Sequence, residues 1–412
     1  MSLQIKPILV ALRRHKAGTV LIALQIALTL AIVCNALFII HQRLSNLSQA
    51  SGVDEANVFV IRNQWAVDKT TPQVDAQVKA DLLALRQLPS VRDAAPASGY
   101  PLQGGGWDNY VTMTPDQAEP TTDAAVYTGD EHLLDTLGSR LVAGRNFRAD
   151  EVVPQGAQET IIPPVVIVSK ALADRLFPDG SALGKSFYAM GATPSTIIGI
   201  VDVLHRQGTD QGSNIYAGQV LIWPLRAADA RGLFYIVRAK PGQLAAAMRE
   251  APKALYAQNR KRIIAPRDGI QDYAQVRHSA FDSDRGMAIL MGVICVVLLA
   301  ITAAGIVGLT SFWVGQRRKQ IGVRRALGAT RGDILSYFLT ENLLIGVGGV
   351  AVGSLLALSI NLWMVSEFAM ARISMLYVAT GVIVLLLLGQ GAVLAPAMRA
   401  ARVSPVEATR SV

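Results

Sequence analysis

The sequence predicts an α-helical membrane protein with four transmembrane helices plus a large α+β extracytoplasmic domain inserted between the first and second. Three observations lead there. Of 412 residues, 51% are hydrophobic and only 17% charged, too apolar for a soluble chain of this length. The apolar excess is gathered into four long runs. Basic residues cluster beside alternate ends of those runs, as the positive-inside bias requires.

The first run, 17–40, reads "AGTVLIALQIALTLAIVCNALFII" and carries no charge. A helix of that length reaches about 36 Å, enough to cross a bilayer with some tilt. A cleaved signal peptide would have a shorter apolar core and small residues at its cleavage site. Val33 is bulky where a lipoprotein site at Cys34 would need a small residue, so the run reads as an uncleaved anchor. The other spans are 287–312, 342–365 and 375–395.

Charge sets the orientation. Residues 1–16 carry Lys6, Arg13, Arg14 and Lys16. The 313–341 loop carries Arg317, Arg318, Lys319, Arg324, Arg325 and Arg331, and the 396–412 tail carries Arg399, Arg402 and Arg410. These three segments belong in the cytoplasm, and the short 366–374 loop and the 41–286 domain belong outside. The net charge of +9 thereby acquires a location, because residues 41–286 hold 25 basic and 26 acidic residues. Nucleic acid is not needed to explain it, and the lipid bilayer is the expected surroundings. Both cysteines, Cys34 and Cys295, fall in spans, so the outer domain is expected to fold without disulfides.

The outer domain reads as α+β. Strands are expected at 57–62, 165–169, 196–203 and 232–239, and helices at 72–88, 170–177 and 242–259. Gly104–Gly106, Pro163-Pro164 and the run 207–214 mark loops. Trp107, Tyr110 and Phe147 read as core, with a binding surface as the alternative. His132 beside Glu131 and Asp135, and His205 near Asp202, read as ordinary polar positions, because no H-E-x-x-H, C-x-x-C or G-x-S-x-G pattern accompanies them.

"DGSALGKS", 179–186, imitates a phosphate-binding loop in its last three residues. Asp179 stands where the leading glycine should be, and an acid there would face the phosphates. The segment reads as a surface turn. No catalytic, cofactor or metal residues are expected on the chain.

The most informative stretch is 315–344, "GQRRKQIGVRRALGATRGDILSYFLTENLL". Ile321, Val323, Ala326 and Leu327 interleave with Arg317, Arg318, Lys319, Arg324 and Arg325 on a helix that Gly328 can end. Thr330 can cap the next helix, with Asp333 completing a capping-box variant. A positive-inside loop lying on anionic lipid would need no such break, whereas a docking element for a cytosolic partner would.

"RRKQIGVRRALGATRGDIL" (317–335) resembles the signature of FtsX-type permeases, the membrane subunits of MacB-like ABC transporters. The ending "APAMRAARVSPVEATR" (395–410), and "LVAGRNFRADE" (141–151) with "VVIVSKALADRLFPDGSALGKSF" (165–187), resemble the family's tail and its MacB-type periplasmic core. One departure is Gln320, where the family commonly carries Glu before Ile321 and Gly322. The family's acid at the start of span three is matched by Glu341.

The resemblance implies a bacterial inner-membrane protein that works as a dimer, with an identical copy or a paralogue, above a cytosolic ABC ATPase dimer. Segment 315–335 would be the coupling element, and motion would pass to the outer domains by mechanotransmission for efflux or export. ATP and Mg would sit on the partner ATPase, expected here as a separate protein because only 16 residues precede the first span. A periplasmic adaptor and outer-membrane channel would mark an efflux member. Lipoprotein release, control of a cell-wall hydrolase, and a stand-alone membrane-anchored receptor are the competing readings. Gly349 and Gly353 form G-x-x-x-G in span three, which permits close helix packing.

Overall fold

The structure, a computed structural model, describes residues 16–67, 69–156, 159–209, 216–368 and 372–402. Lys6, Arg13, Arg14, Glu407, Arg410 and part of the 207–214 run lie outside the described residues. The chain divides into two compact units, Met1–Leu47 with Ser283–Val412, and Ser48–Asp282.

In chain order, helix α1 (Lys16–Leu47) leads to β1 (Val58–Trp65), α2 (Thr71–Arg86), β2 (Val91–Ala97), β3 (Asp108–Val111) and β4 (Thr122–Thr128). Then come α3 (Leu133–Leu137), β5 (Leu141–Gly144), β6 (Val153–Gln155), β7 (Val165–Ser169), α4 (Lys170–Leu176), β8 (Ser186–Phe187) and β9 (Ser195–Val201). The α+β unit closes with β10 (Val220–Trp223), β11 (Leu225–Ala227), β12 (Leu233–Ala239), α5 (Leu244–Gln258), β13 (Arg262–Ile263), β14 (Ile270–Asp272) and α6 (Tyr273–Ala280). The remaining helices are α7 (Asp282–Gln316), α8 (Arg318–Ala326), α9 (Arg331–Phe368) and α10 (Met375–Ala401).

Among the described residues the α+β unit contains two larger sheets. One runs β13-β1-β12-β2, with β14 also on β1. Strand β1 alternates: Phe59, Ile61 and Trp65 join the core that α2 and α5 complete with Val74, Val78, Leu82, Leu85, Ala247, Ala251 and Leu255. Asn63 is in phase with these apolar residues, and it meets a charge. Arg262 donates to both oxygens of Asp81, at 2.7 and 3.0 Å, and to Asn63 Oδ1 at 3.0 Å. The Tyr235 hydroxyl donates to Asp81 Oδ2 at 2.6 Å, and both charged side chains are fully buried. Bidentate geometry and filled acceptors let such a pair survive burial.

The second sheet runs β3-β4-β10-β7-β9-β5 and mixes directions. Strands β4 and β10 are parallel, as are β7 and β9, the latter joined through α4. The expected strands and helices appear here with small shifts at their ends. Of the three aromatics read as core, Phe147 is buried, but Trp107 is 38% and Tyr110 68% exposed. Tyr110 lies on the edge strand β3, whose alternate residues face away from the sheet's packed side.

In the other unit, four helices among the described residues are long and apolar enough to cross a membrane: Lys16–Leu47, Asp282–Gln316, Arg331–Glu367 and Met375–Ala401. They extend past the apolar windows 17–40, 287–312, 342–365 and 375–395, because a helix stops at a cap and not where hydrophobicity falls. Helix α10 begins with its window at Met375, where Ser374 caps it by accepting from the Leu376 N–H, and runs on past 395 to a C-cap at Arg402. Helix α1 packs on both α9 and α10. A Cβ on Gly349 would lie 2.9 Å from Ala23 O, and one on Gly353 2.8 Å from Ala27 O. The G-x-x-x-G glycines thus seat α9 on α1 of the same chain. Polar side chains bridge the helices: Gln25 Nε2 donates to Ile301 O at 3.1 Å, Asn35 Nδ2 to Ala357 O at 3.1 Å, and the Thr29 and Thr302 hydroxyls are 2.8 Å apart. Arg43 and Asp284 form an ion pair between α1 and α7.

Candidate functional site

Only Arg317 separates α7 from α8. Its backbone leaves the α-helical region, with φ −94° and ψ 9°, and the chain turns there. Its side chain fixes the turn. Arg317 Nη1 donates to both oxygens of Glu341 on α9, at 3.0 and 2.9 Å, and both side chains are at most one-tenth exposed. Arg317 and Glu341 are 24 positions apart, and nothing in the local pattern pairs them.

Helix α8 has two faces. Ile321 and Gly322 are buried, Ile321 against the cluster holding Ile334 and Phe338. Arg325 is half-buried and donates to Ala401 O on α10 at 2.9 Å. The other face is open: Arg318, Lys319, Val323, Arg324 and Ala326 are exposed, and Leu327 is 83% exposed. The Arg324 guanidinium lies 5.0 Å from the Tyr337 ring centroid, which holds it at the rim of this face.

The turn that follows is specified twice. Gly328 adopts φ +98°, where a side chain would be strained. The Gly328 N–H donates to Arg325 O and the Ala329 N–H to Arg324 O, at 3.2 and 3.0 Å, the Schellman pattern. The next helix starts with a reciprocal cap. The Thr330 N–H donates to Asp333 Oδ2 at 2.9 Å, and the Asp333 N–H to Thr330 Oγ1 at 3.2 Å. Two hard stops back to back leave Leu327 at the tip of the corner, one helical turn from Arg324, while Arg318 and Lys319 lie at the other end of α8. An exposed leucine next to a cation held in place can fill an apolar pocket rimmed by acids.

The sequence-predicted residues therefore divide by role. Arg317, Ile321, Gly322, Arg325 and Glu341 hold the element to the helical unit. Gly328, Thr330 and Asp333 shape the turn. Arg318, Lys319, Arg324, Ala326 and Leu327 remain on the surface.

The "DGSALGKS" segment is a turn that satisfies itself. Asp179 accepts from the Ser181 hydroxyl at 2.6 Å and N–H at 3.2 Å, and from Lys185 Nζ at 3.3 Å. These contacts, the Ser181 hydroxyl first, hold the Asp179 carboxyl down to about 2. The Gly184 and Lys185 N–H groups donate to Ile197 O and Ala182 O, and Lys185 Nζ sits 4.8 Å from the centre of the Phe177 ring. A phosphate cradle needs such N–H groups unspent.

The histidines have ordinary partners. His205 is buried and bonds to Arg206 O and Gln49 Oε1, at 2.9 and 3.2 Å, while Asp202 pairs with Arg140. His132 Nδ1 meets Asp93 at 2.9 Å, beside Arg86 and the buried Asp130. Among the described residues no group of three His, Cys, Asp or Glu could hold a metal ion.

Asp130 is the more informative titrating group. Burial pushes its carboxyl up to about 6, although Arg86 at 3.4 Å pulls the other way. A carboxyl raised in the folded state binds more protons folded than unfolded between about pH 4 and 6, so its contribution to stability falls as pH rises through 6. Asp130→Asn should gain stability relative to wild type across that window, by on the order of 2–3 kcal/mol, and show no further change above about pH 7. Urea unfolding of the solubilised chain at pH 4.5 and 7.5 checks this. A mutant-to-wild-type difference independent of pH would contradict it.

Residues 19–255 match the family described as MacB-like periplasmic core domain, and residues 292–405 match FtsX-like permease C-terminal. The macrolide export ATP-binding/permease protein MacB of Chromobacterium violaceum is 27% identical over 340 residues, 77% of this chain and 49% of that protein. MacB 1/2 of Paracoccus denitrificans is 27% identical over 413 residues, 97% of this chain and 57% of its own length. The chain thus spans about half the length of these curated relatives. The crystal structure of the periplasmic region of MacB from Actinobacillus actinomycetemcomitans covers 57% of this chain and 97% of that one, with 13% identity and a TM-score of 0.34. The extracellular domain of the transporter YknZ from Gram-positive bacteria covers 52% and 98%, with 15% identity and a TM-score of 0.30.

Proposed function

This chain belongs to the MacB-like family of ABC transporter permeases, and we propose that it couples ATP hydrolysis by a cytosolic ATPase to motion of its α+β unit, in the service of efflux or export. The observation that carries this reading is the corner at Leu327. A loop that merely lay on lipid would need neither the buried Arg317–Glu341 pair behind it nor two consecutive caps around Gly328. An element that must transmit force needs both, because a lever works only if its load-bearing end is rigid and its root is fixed.

In this reading the N-terminal segment, the 313–341 loop and the tail face the cytoplasm, and the α+β unit is periplasmic. The ATPase dimer receives Leu327, Val323 and Ala326 in an apolar groove, with Arg318, Lys319 and Arg324 meeting acids at its rim. The ion pair between Arg317 and Glu341 makes α8 and α9 move as one piece, and the Gly349 and Gly353 contacts pass that motion to α1, which leads into the α+β unit. A second permease copy or a paralogue would complete the assembly.

A mild-detergent pull-down of the tagged chain from its native host, read by mass spectrometry, tests the proposal. Recovery of an ABC ATPase in near-stoichiometric amount is expected. Recovery of the chain alone, repeated under crosslinking, would move the assignment to a stand-alone receptor. In the purified complex, Lys185→Ala should leave ATPase activity near wild type, since its ammonium meets only neighbours within the same exposed turn region, Asp179, Ser181 and the Phe177 ring. Collapse of activity with the protein still folded would reopen a nucleotide role for that turn.

A further inference from the structure

The α+β unit contains an open cleft of about 630 Å³ that the coupling mechanism does not use. One wall is the face of the β13-β1-β12-β2 sheet turned away from α2 and α5. Arg62 and Gln64 of β1 stand there, out of phase with the core residues Ile61 and Trp65, and Phe234 of β12 is the cross-strand partner of Arg62. The opposite wall carries Gln103, Trp107 and, at the C-terminal end of β4, Thr128.

Two cations and two acids line this cleft, Arg62, Arg231, Asp229 and Glu159, and three of the four are already held. Asp229 is held by Arg231, with Nη2 at 3.0 Å and the Arg231 N–H at 2.8 Å. Glu159 accepts from the Gly156 N–H at 3.1 Å and the Thr71 hydroxyl at 3.3 Å. Arg62 has no ion pair or side-chain hydrogen bond among the described residues. Its guanidinium lies over the Phe234 ring, 5.9 Å from the centroid, with the Tyr100 phenol near enough to feel its charge. An exposed cation over Phe234, in a cleft also lined by the partly exposed Trp107, is a place for a ligand with a carboxylate next to an apolar group.

A second observation concerns the opposite wall. Leu102 adopts φ +66°, the one positive φ outside glycine among the described residues, and it is 2% exposed. A bulky residue in that region costs on the order of 1–3 kcal/mol and persists only where its surroundings impose it. Here they do: the Leu102 N–H donates to Arg206 O and the Gly104 N–H to Gln207 O, at 3.2 and 2.9 Å. The strained turn presents Gln103 at the cleft. Its Oε1 accepts from the Tyr100 N–H at 3.2 Å, and its amide N–H₂ has no partner among the described residues. Gln64 across the cleft likewise offers an amide. Donor-and-acceptor amides on two walls suit the peptide group.

We infer that this cleft binds a short peptide by its free carboxylate, with Arg62 taking the carboxylate, Gln64 and Gln103 the amide groups, and Phe234 and Trp107 the apolar side chain. The site belongs to the α+β unit alone and does not depend on an ATPase partner.

The test uses the full chain in detergent micelles and N-acetyl-Gly-Ala-Phe, as the free acid and as its C-terminal amide, followed by saturation-transfer NMR. The acid should bind and the amide should bind about tenfold more weakly. Arg62→Gln should reduce the acid to the level of the amide and leave the amide unchanged, and Gln103→Ala should weaken both alike. Leu327→Asp should change none of these values, which separates failure of the cleft from failure of the coupling reading. Equal affinity for acid and amide, retention of acid binding in Arg62→Gln, or no binding of either peptide up to about 10 mM would each overturn the inference.

Discussion

Leu327→Asp should abolish recovery of the ATPase with the chain while leaving the chain inserted and folded. Leu327 is 83% exposed at the end of α8, so aspartate there disturbs no packing within the protein. Buried in a partner's apolar groove, the same carboxylate would be desolvated without a counter-charge. Truncating an interface anchor typically costs 2 kcal/mol or more, about thirtyfold in affinity, and an uncompensated charge costs more. Arg324→Glu should also weaken association, with a marked dependence on salt, because it acts from the rim. Arg325 is a poor choice for such a test, since its donation to Ala401 O makes it part of the protein's own packing. ATPase recovery undiminished by Leu327→Asp would remove the corner from the coupling route.

Asp81→Ala should destabilise the α+β unit by about 3–5 kcal/mol, the usual cost of leaving one member of a buried ion pair alone. The change strips Arg262 of a bidentate partner at zero exposure and removes the acceptor of the Tyr235 hydroxyl. Asp81→Asn should cost less, because an amide oxygen can keep one of those bonds. Arg140→Ala, at an exposed pair, should cost under about 1 kcal/mol and serves as the reference. Urea unfolding followed by tryptophan emission gives the comparison. An Asp81→Ala chain within about 1 kcal/mol of wild type would show that the pair is not the keystone its burial suggests.

Much of this architecture was legible because its signals are local. Apolar runs need only composition, strands β7 and β9 need only β-branched residues in sequence, and the Gly328 and Thr330–Asp333 caps need residues within six positions of one another. The functional corner could be placed for that reason. Its residue roles could not. Arg317, Arg324 and Arg325 look alike in the basic run, yet one is buried on Glu341, one rests on Tyr337 and one binds a carbonyl of α10. Tyr110 was misplaced because no strand is legible at 108–111 in the sequence, and only sheet pairing shows that it lies on an exposed edge. A faint signal of the buried pair did exist: Asn63 and Asp81 each sit in phase with an apolar stripe, where a polar residue must find a partner.

The sequence by itself determined four apolar helices, an α+β insertion between the first two, and a capped basic turn before the third, since each follows from periodicity, charge or cap chemistry within a short window. Tertiary structure alone decided which cations of that turn stand exposed, that the α9 glycines close on α1, and that Arg62 lies over Phe234 in a cleft also lined by Gln103 of the strained Leu102 turn. Those outcomes depend on groups far apart in the chain, where burial and pairing are settled only once the elements have packed.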